Sequence, residues 1–126
     1  MTIELLEDRK TCGPRLCLCA TTCDGRTVVR VEGEVEVNSA GELRDYFLSL
    51  TRAGHRDLLV DLEAVEFIDA IGVNVLRSVG KRARACGGSL NLVCRRDRAD
   101  WLFAFVARPA DVSIFDTLPT ATATAG

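Results

Sequence analysis

The chain has 126 residues, 48% of them apolar and 27% charged, with only three prolines, which excludes a disordered polymer and leaves room for one domain that can bury its own core. Its formal net charge of −2 excludes nucleic acid as the main partner, because affinity for a phosphate backbone needs many uncompensated cations. No apolar run approaches the ~18 residues of a membrane span, and the acidic start Met1–Asp8 lacks the cations of a secretion signal, so no membrane partner and a cytoplasmic location are expected.

Residues 1–14 show no sustained period, end in the turn signal Cys12-Gly13-Pro14, and read as an N-terminal extension. Leu16 to Thr22 reads as a strand, followed by the hairpin dipeptide Asp24-Gly25. The cleanest alternation comes next: Val29, Val31, Gly33, Val35 and Val37 face one way, and Arg30, Glu32, Glu34 and Glu36 the other. Asn38 or Ser39 is placed to cap a helix, with Glu42 three residues after Ser39 as in a capping box. Leu43, Phe47 and Leu50 give that helix one apolar face, and Gly54 ends it.

Asp57 to Val65 is a near-continuous apolar run, the pattern of a strand covered on both faces. Phe67 to Gly72 links it to a second helix with the stripe Leu76, Val79, Ala83 and Cys86, ended by Gly87-Gly88. Leu90, Leu92 and Cys94 alternate in a further strand. Asp97 or Asp100 caps an expected third helix carrying Trp101, Leu102, Phe105 and Val106, which Pro109 closes. Val112 to Phe115 reads as the last strand, and residues 119–126 as a low-complexity, disordered tail. The order β-β-α-β-α-β-α-β predicts a single α/β domain over residues 15–118. Its sheet is mixed and four- to five-stranded, with helices packed mainly on one face.

Little in the chain points to catalysis. The phosphate-cradling loops G-x-G-x-x-G and G-x-x-x-x-G-K-[ST] are absent, and no cofactor is expected. His55 is the sole histidine and reads as a solvent-exposed loop residue with no nucleophile nearby. Asp61 and Asp69 flank one loop and form the only candidate acid/base pair, equally explained as turn and cap residues. Six cysteines fall in a spacing without a Cys-x-x-Cys knuckle, so no metal site is expected and they read as small structural hydrophobes. Charge is uneven: five acids and one base lie between Glu32 and Asp45. Seven bases (Arg77, Lys81, Arg82, Arg84, Arg95, Arg96, Arg98) and one acid lie between Arg77 and Arg98. No aromatics interleave with those arginines, which favours a solvated face or a protein-docking surface over nucleic acid.

The segment Val60 to Leu76 stands out. A buried strand runs into a tight loop, Asp69 sits at a helix start and Gly72 falls in the first turn, where free N–H groups favour an anion or an acceptor. An aspartate N-cap with a close-packed glycine explains the same residues. The run resembles the STAS domain family, named for sulfate transporters and anti-sigma factor antagonists. The resemblance is carried by Gly33-Glu-Val-Glu-Val, by Val60-Asp-Leu62 and by Phe67-Ile-Asp-x-x-Gly72-x-x-x-Leu76. Gly87-Gly88 before Leu90 to Val93 and the closing Ile114-Phe-Asp-Thr-Leu118 extend it, so the likeness spans residues 16–118 in order.

That resemblance implies a non-enzymatic, bacterial partner-switching module that binds a kinase-type anti-sigma factor and is released by phosphorylation of a serine directly after the aspartate. Here that position is Ala70 and the next is Ile71, neither bearing a hydroxyl. The expectation is therefore an antagonist homologue that is not phosphorylated at the usual site and binds such a partner constitutively. Its docking surface would comprise Glu36, Asn38, Ser39, Asp69, Ala70, Ile71, Gly72 and Asn74. Two alternatives stay open: a scaffold or dimerisation module outside sigma-factor control, and a small enzyme using Asp61 and Asp69. Ser39 and Ser78 are candidates for a relocated modification site, and the strand Cys17 to Cys23 is a candidate edge for pairing with a second copy.

Overall fold

In the computed structural model, residues 10–23, 25–95 and 112–115 are described. The elements run β1 (Thr11–Cys12), β2 (Leu16–Cys23), β3 (Arg26–Val35), α1 (Ala40–Arg52), β4 (Asp57–Ile68), α2 (Ala70–Ala85), β5 (Ser89–Val93) and β6 (Val112–Phe115). The strands form one sheet in the order β1-β2-β3-β4-β5-β6. β1, β2 and β3 pair antiparallel, and β3, β4, β5 and β6 pair parallel. The five strands read from the sequence are all present in a mixed α/β sheet. The described residues add a sixth, β1, which at two residues is too short to carry a period of its own. The expected third helix, the start of the N-terminal extension and the expected tail lie outside the described residues.

Both helices bury their stripes against the same face of the sheet. Leu43, Phe47 and Leu50 of α1 and Val73, Leu76, Val79 and Ala83 of α2 join Leu18, Val29, Val31, Val35, Leu58, Val60, Leu62, Leu90 and Leu92 in one core. At about 25 cal/mol per Å² of apolar surface, a core of this make-up is the main force holding the helices to the sheet. The opposite face carries a smaller buried set, Leu59 and Val93 with Val28 packed on them. β4 is therefore covered on both faces through Leu58 to Leu62, as its unbroken apolar run predicts.

Three local readings are corrected. Val37 does not continue the β3 stripe: the chain turns at Glu36, whose carbonyl accepts from Ser39 N and Ala40 N at 3.0 and 2.8 Å, and Val37 is left exposed. Cys86 does not belong to the α2 stripe, because it is the C-cap residue, where the helix unwinds into Gly87, and it is exposed. His55 is not a free loop side chain, since its Nδ1 lies 3.0 Å from the buried Thr27 hydroxyl, tying the α1–β4 connection to β3.

The cysteine reading is also corrected in part. Cys12 and Cys17 face each other across the β1–β2 ladder and are joined by a disulfide. Spacing alone does not reveal this, because the pairing depends on the register of a strand too short to read. β1 occupies the edge of β2 opposite Leu18 and Cys17.

Candidate docking surface at the β3–α1 loop and the start of α2

The carboxyl ends of the adjacent parallel strands β3 and β4 bring two chain reversals side by side. β4 reaches Ile68 with two more residues than β3 uses: the partner of Arg30 is Asp61, that of Glu32 is Ala64, and that of Glu34 is Phe67. Each extra residue is a β-bulge, so Val65 and Ile68, three apart, both face the core while Glu66 and Phe67 turn outward. The link between β4 and α2 is then Asp69 alone. Its amide donates to the Val35 carbonyl at 3.0 Å, and its Oδ1 accepts from Gly72 N at 2.9 Å, an aspartate N-cap.

Gly72 is fixed by contact with its neighbours. A Cβ there would lie 2.7 Å from both Ile68 Cγ1 and Val35 Cγ1, so the first turn of α2 rests directly on the ends of β3 and β4. The β3–α1 loop is built differently. Ser39 is the N-cap residue of α1 but makes no side-chain cap bond. Instead its hydroxyl, 1% exposed, donates to the Glu34 carbonyl at 2.7 Å and accepts from Glu36 N at 3.1 Å. The expected capping box with Glu42 does not form, because the hydroxyl is engaged in closing the loop behind it. Glu36 in turn accepts from Asn38 N at 3.1 Å and from Asn38 Nδ2 at 3.3 Å. Arg15 Nη1 stands 3.9 Å from both Glu34 Oε2 and Glu36 Oε1.

Of the residues singled out from sequence, Asn38, Ala70, Ile71 and Asn74 are exposed, and Glu36 and Asp69 are partly so. Ser39 and Gly72 are buried and shape the surface without presenting a side chain to it. Ser78 is exposed on α2, at the rim of a groove of about 250 Å³ between the two helices lined also by Arg44, Phe47 and Val79. Among the described residues, the large apolar side chains left exposed are Val37 (62%), Phe67 (43%) and Ile71 (45%), all at this one end of the sheet. Exposed apolar side chains at one end of the sheet make that end a candidate interaction surface. Sequence reading missed Val37 and Phe67 as surface residues and missed Arg15 altogether. For Phe67 the signal was there: Val65 and Ile68 are three apart in a strand, which requires a bulge between them.

The proposed acid/base pair does not form. Asp61 lies mid-strand on β4, nearly buried, with Oδ1 accepting from Glu63 N at 3.0 Å. At 3.3 Å per residue, Asp69 at the end of the same strand is roughly 25 Å away. The two do not flank one loop, since β4 continues unbroken to Ile68. Among the described residues there is no group of three or more His, Cys, Asp or Glu able to hold a metal ion, and no helix long and apolar enough to cross a membrane.

Comparison with known proteins matches the STAS domain description over residues 19–121. The anti-sigma-B factor antagonist of Bacillus subtilis (strain 168) is 35% identical over 75 residues, 60% of this chain and 68% of that protein. A crystal structure of an anti-sigma factor antagonist from Mycobacterium paratuberculosis superposes with a TM-score of 0.73 at 23% identity, covering 90% of this chain and 97% of that one. The Bacillus cell fate determinant SpoIIAA in its phosphorylated form superposes with a TM-score of 0.65 at 15% identity, over 86% of this chain and 99% of that one. At those identities the two structures speak for the fold alone.

Proposed function

The chain belongs to the STAS domain family, and from that premise we propose that it is a non-enzymatic regulatory module of the anti-sigma factor antagonist kind, which docks on a kinase-type anti-sigma factor and is not released by phosphorylation at the start of α2. The 35% identical relative is by name an antagonist of an anti-sigma factor, which supports the partner class. The observation that carries the reading is the exposed Ala70-Ile71 pair at the first turn of α2, directly after the Asp69 cap.

In the family pattern the residue after this aspartate is the serine that takes the phosphate. A phosphate there would add about two negative charges and three acceptor oxygens close to Asp69, ejecting a partner by like-charge repulsion and desolvation. Ala70 offers only a methyl group, so the apolar contact made with Ile71 and its neighbours is permanent. The buried Ser39 hydroxyl is closed off by its two hydrogen bonds and is no substitute phosphoacceptor.

The test is capture of a purified kinase-type anti-sigma factor, with ATP present and phosphate read by mass spectrometry. The wild type should bind and stay unmodified at residue 70, A70S should gain a phosphate and lose the partner, and A70E should not bind. Binding by A70E equal to wild type, or no capture of any such partner, refutes the reading.

A further inference from the structure

We propose that Cys12 and Cys17 are a reversible redox modification site, a disulfide opened and closed by thiol–disulfide exchange, whose state sets the order of the turn that braces the β3–α1 loop. The two cysteines are direct cross-strand partners, Cys12 exposed and Cys17 partly exposed, so an attacking thiolate has access. β1 has only two ladder pairs, Thr11 with Leu18 and Cys12 with Cys17, and both of its residues are exposed. Little besides the covalent bond holds it in register.

The bond encloses the turn 13–16, and that turn touches the candidate docking surface. Gly13 N donates to the Leu16 carbonyl at 2.8 Å, and the Arg15 carbonyl accepts from Glu34 N at 2.9 Å. A Cβ at Gly33, whose φ is +103°, would overlap that Arg15 carbonyl oxygen, so the close approach is built into the sequence. The Arg15 guanidinium then stands 3.9 Å from carboxylate oxygens of Glu34 and Glu36. On its other side the turn faces α1, where a Cβ at Gly13 would lie 3.0 Å from Glu42 Oε2. Holding Cys12 against Cys17 therefore holds Arg15 against the loop that carries Glu36 and Asn38.

In the reductive direction, a thiolate of a dithiol reductant attacks Cys12 Sγ. The sulfur–sulfur bond breaks, and Cys17 leaves as a thiolate that takes up a proton. The second thiol of the reductant then displaces Cys12, which is protonated in turn, so two electrons and two protons pass to the protein and the reductant becomes a disulfide. A small-molecule disulfide reverses the steps. Lys10, Arg30 and Glu32 line the same cleft as Cys17, with Arg30 and Glu32 paired at 3.0 Å, so the cleft is polar and open to a reductant. Cys19 lines that cleft too, and its variant is a necessary control.

The experiment compares the whole protein before and after treatment with dithiothreitol. Alkylation and peptide mass should recover Cys12 joined to Cys17 before reduction, both alkylated after it, and the bond restored by oxidised glutathione. Amide hydrogen exchange at Glu34 should accelerate at least roughly tenfold on reduction, while Val60 in the central strand stays unchanged. In C12S/C17S, Glu34 should exchange at the reduced rate with or without dithiothreitol, and in C19S it should behave as wild type. Thiols found unlinked without reductant, Glu34 protection equal in both states, or equal acceleration at Val60 overturns the proposal. It rests on the fold alone, so a protein that captures no anti-sigma factor tests it equally well.

Discussion

Replacing Gly72 by alanine sets two effects against each other with opposite signs. In an unconstrained helix the change stabilises by about 1 kcal/mol, because alanine loses less backbone entropy and has the better helix propensity. Here the added Cβ falls 2.7 Å from Val35 Cγ1 and from Ile68 Cγ1, and 3.2 Å from Ile68 Cδ1. Carbon pairs sit comfortably at about 3.5–4.0 Å, so two contacts must each open by roughly 1 Å. Neither neighbour yields easily: both are β-branched, both are fully buried in the core, and both anchor strand ends. Overpacking costs about 1–3 kcal/mol, and two stiff neighbours put this case at the upper end. After subtracting the propensity gain, Gly72→Ala should cost about 2 kcal/mol, which lowers Tm by about 7 °C for a chain of this length.

Urea unfolding followed by circular dichroism reads the free energy directly. The companion variant is Val35→Ala, which removes one of the two overlapping carbons, the Val35 Cγ1 methyl. In the double mutant the loss should be smaller than the sum of the single losses by about 1 kcal/mol. A Gly72→Ala protein as stable as wild type, or more stable, refutes the claim that α2 is seated on the strand ends through this glycine. Strict additivity with Val35→Ala refutes the assignment of the contact.

Asp69→Ala removes the acceptor of the Gly72 N bond and should cost about 1 kcal/mol by urea unfolding, whereas Asp69→Asn, an equally good cap, should stay within a few tenths. Ser39→Ala leaves the Glu34 carbonyl and the Glu36 amide without their buried partner and should cost about 1–2 kcal/mol, far more than an exposed serine. Two further glycines should respond with opposite signs in thermal melts. Gly41→Ala, with nothing within 4 Å of the new Cβ, should stabilise by up to about 1 kcal/mol. Gly88→Ala overlaps the Arg56 carbonyl, which is already held by Ser89 N at 2.9 Å, and should cost about 3 kcal/mol.

What the sequence makes legible follows the reach of its signals. Val29 to Val35 and Asp57 to Leu62 announce their strands because burial repeats at period two or without interruption, and α1 and α2 announce their faces at period 3.6. Asp69 as a cap and Gly72 as a close-packed residue are readable because each acts close to its own position in the chain. Ser39 is placed correctly at the N-cap but its side chain is misread, because a hydroxyl there has two local options and only the path of Glu34 to Glu36 decides between them. Pairings across the sheet leave no local trace. The Cys12–Cys17 bond, the seat of Arg15 on Glu34 and the Thr27–His55 contact all depend on register, which no period reports.

The two loops of the candidate docking surface are mechanically one unit. Val35 closes β3 and receives the Asp69 amide through its carbonyl, while its side chain is one of the two that Gly72 rests on. Val37 beyond it is already exposed, so Val35 is the last side chain of β3 anchored in the core. Asp69 has no second residue on either side to absorb a shift, because it is at once the whole β4–α2 link and the cap. A displacement of the β3 end therefore moves Asp69, and with it the exposed Ala70 and Ile71. Arg15 enters the same unit from the other side, since its carbonyl holds Glu34 one residue before Val35. The apolar pair at the head of α2 thus sits at the end of a chain of contacts that begins at the Cys12–Cys17 bond. Rigidity at such a surface lowers the ordering cost of any partner docking there.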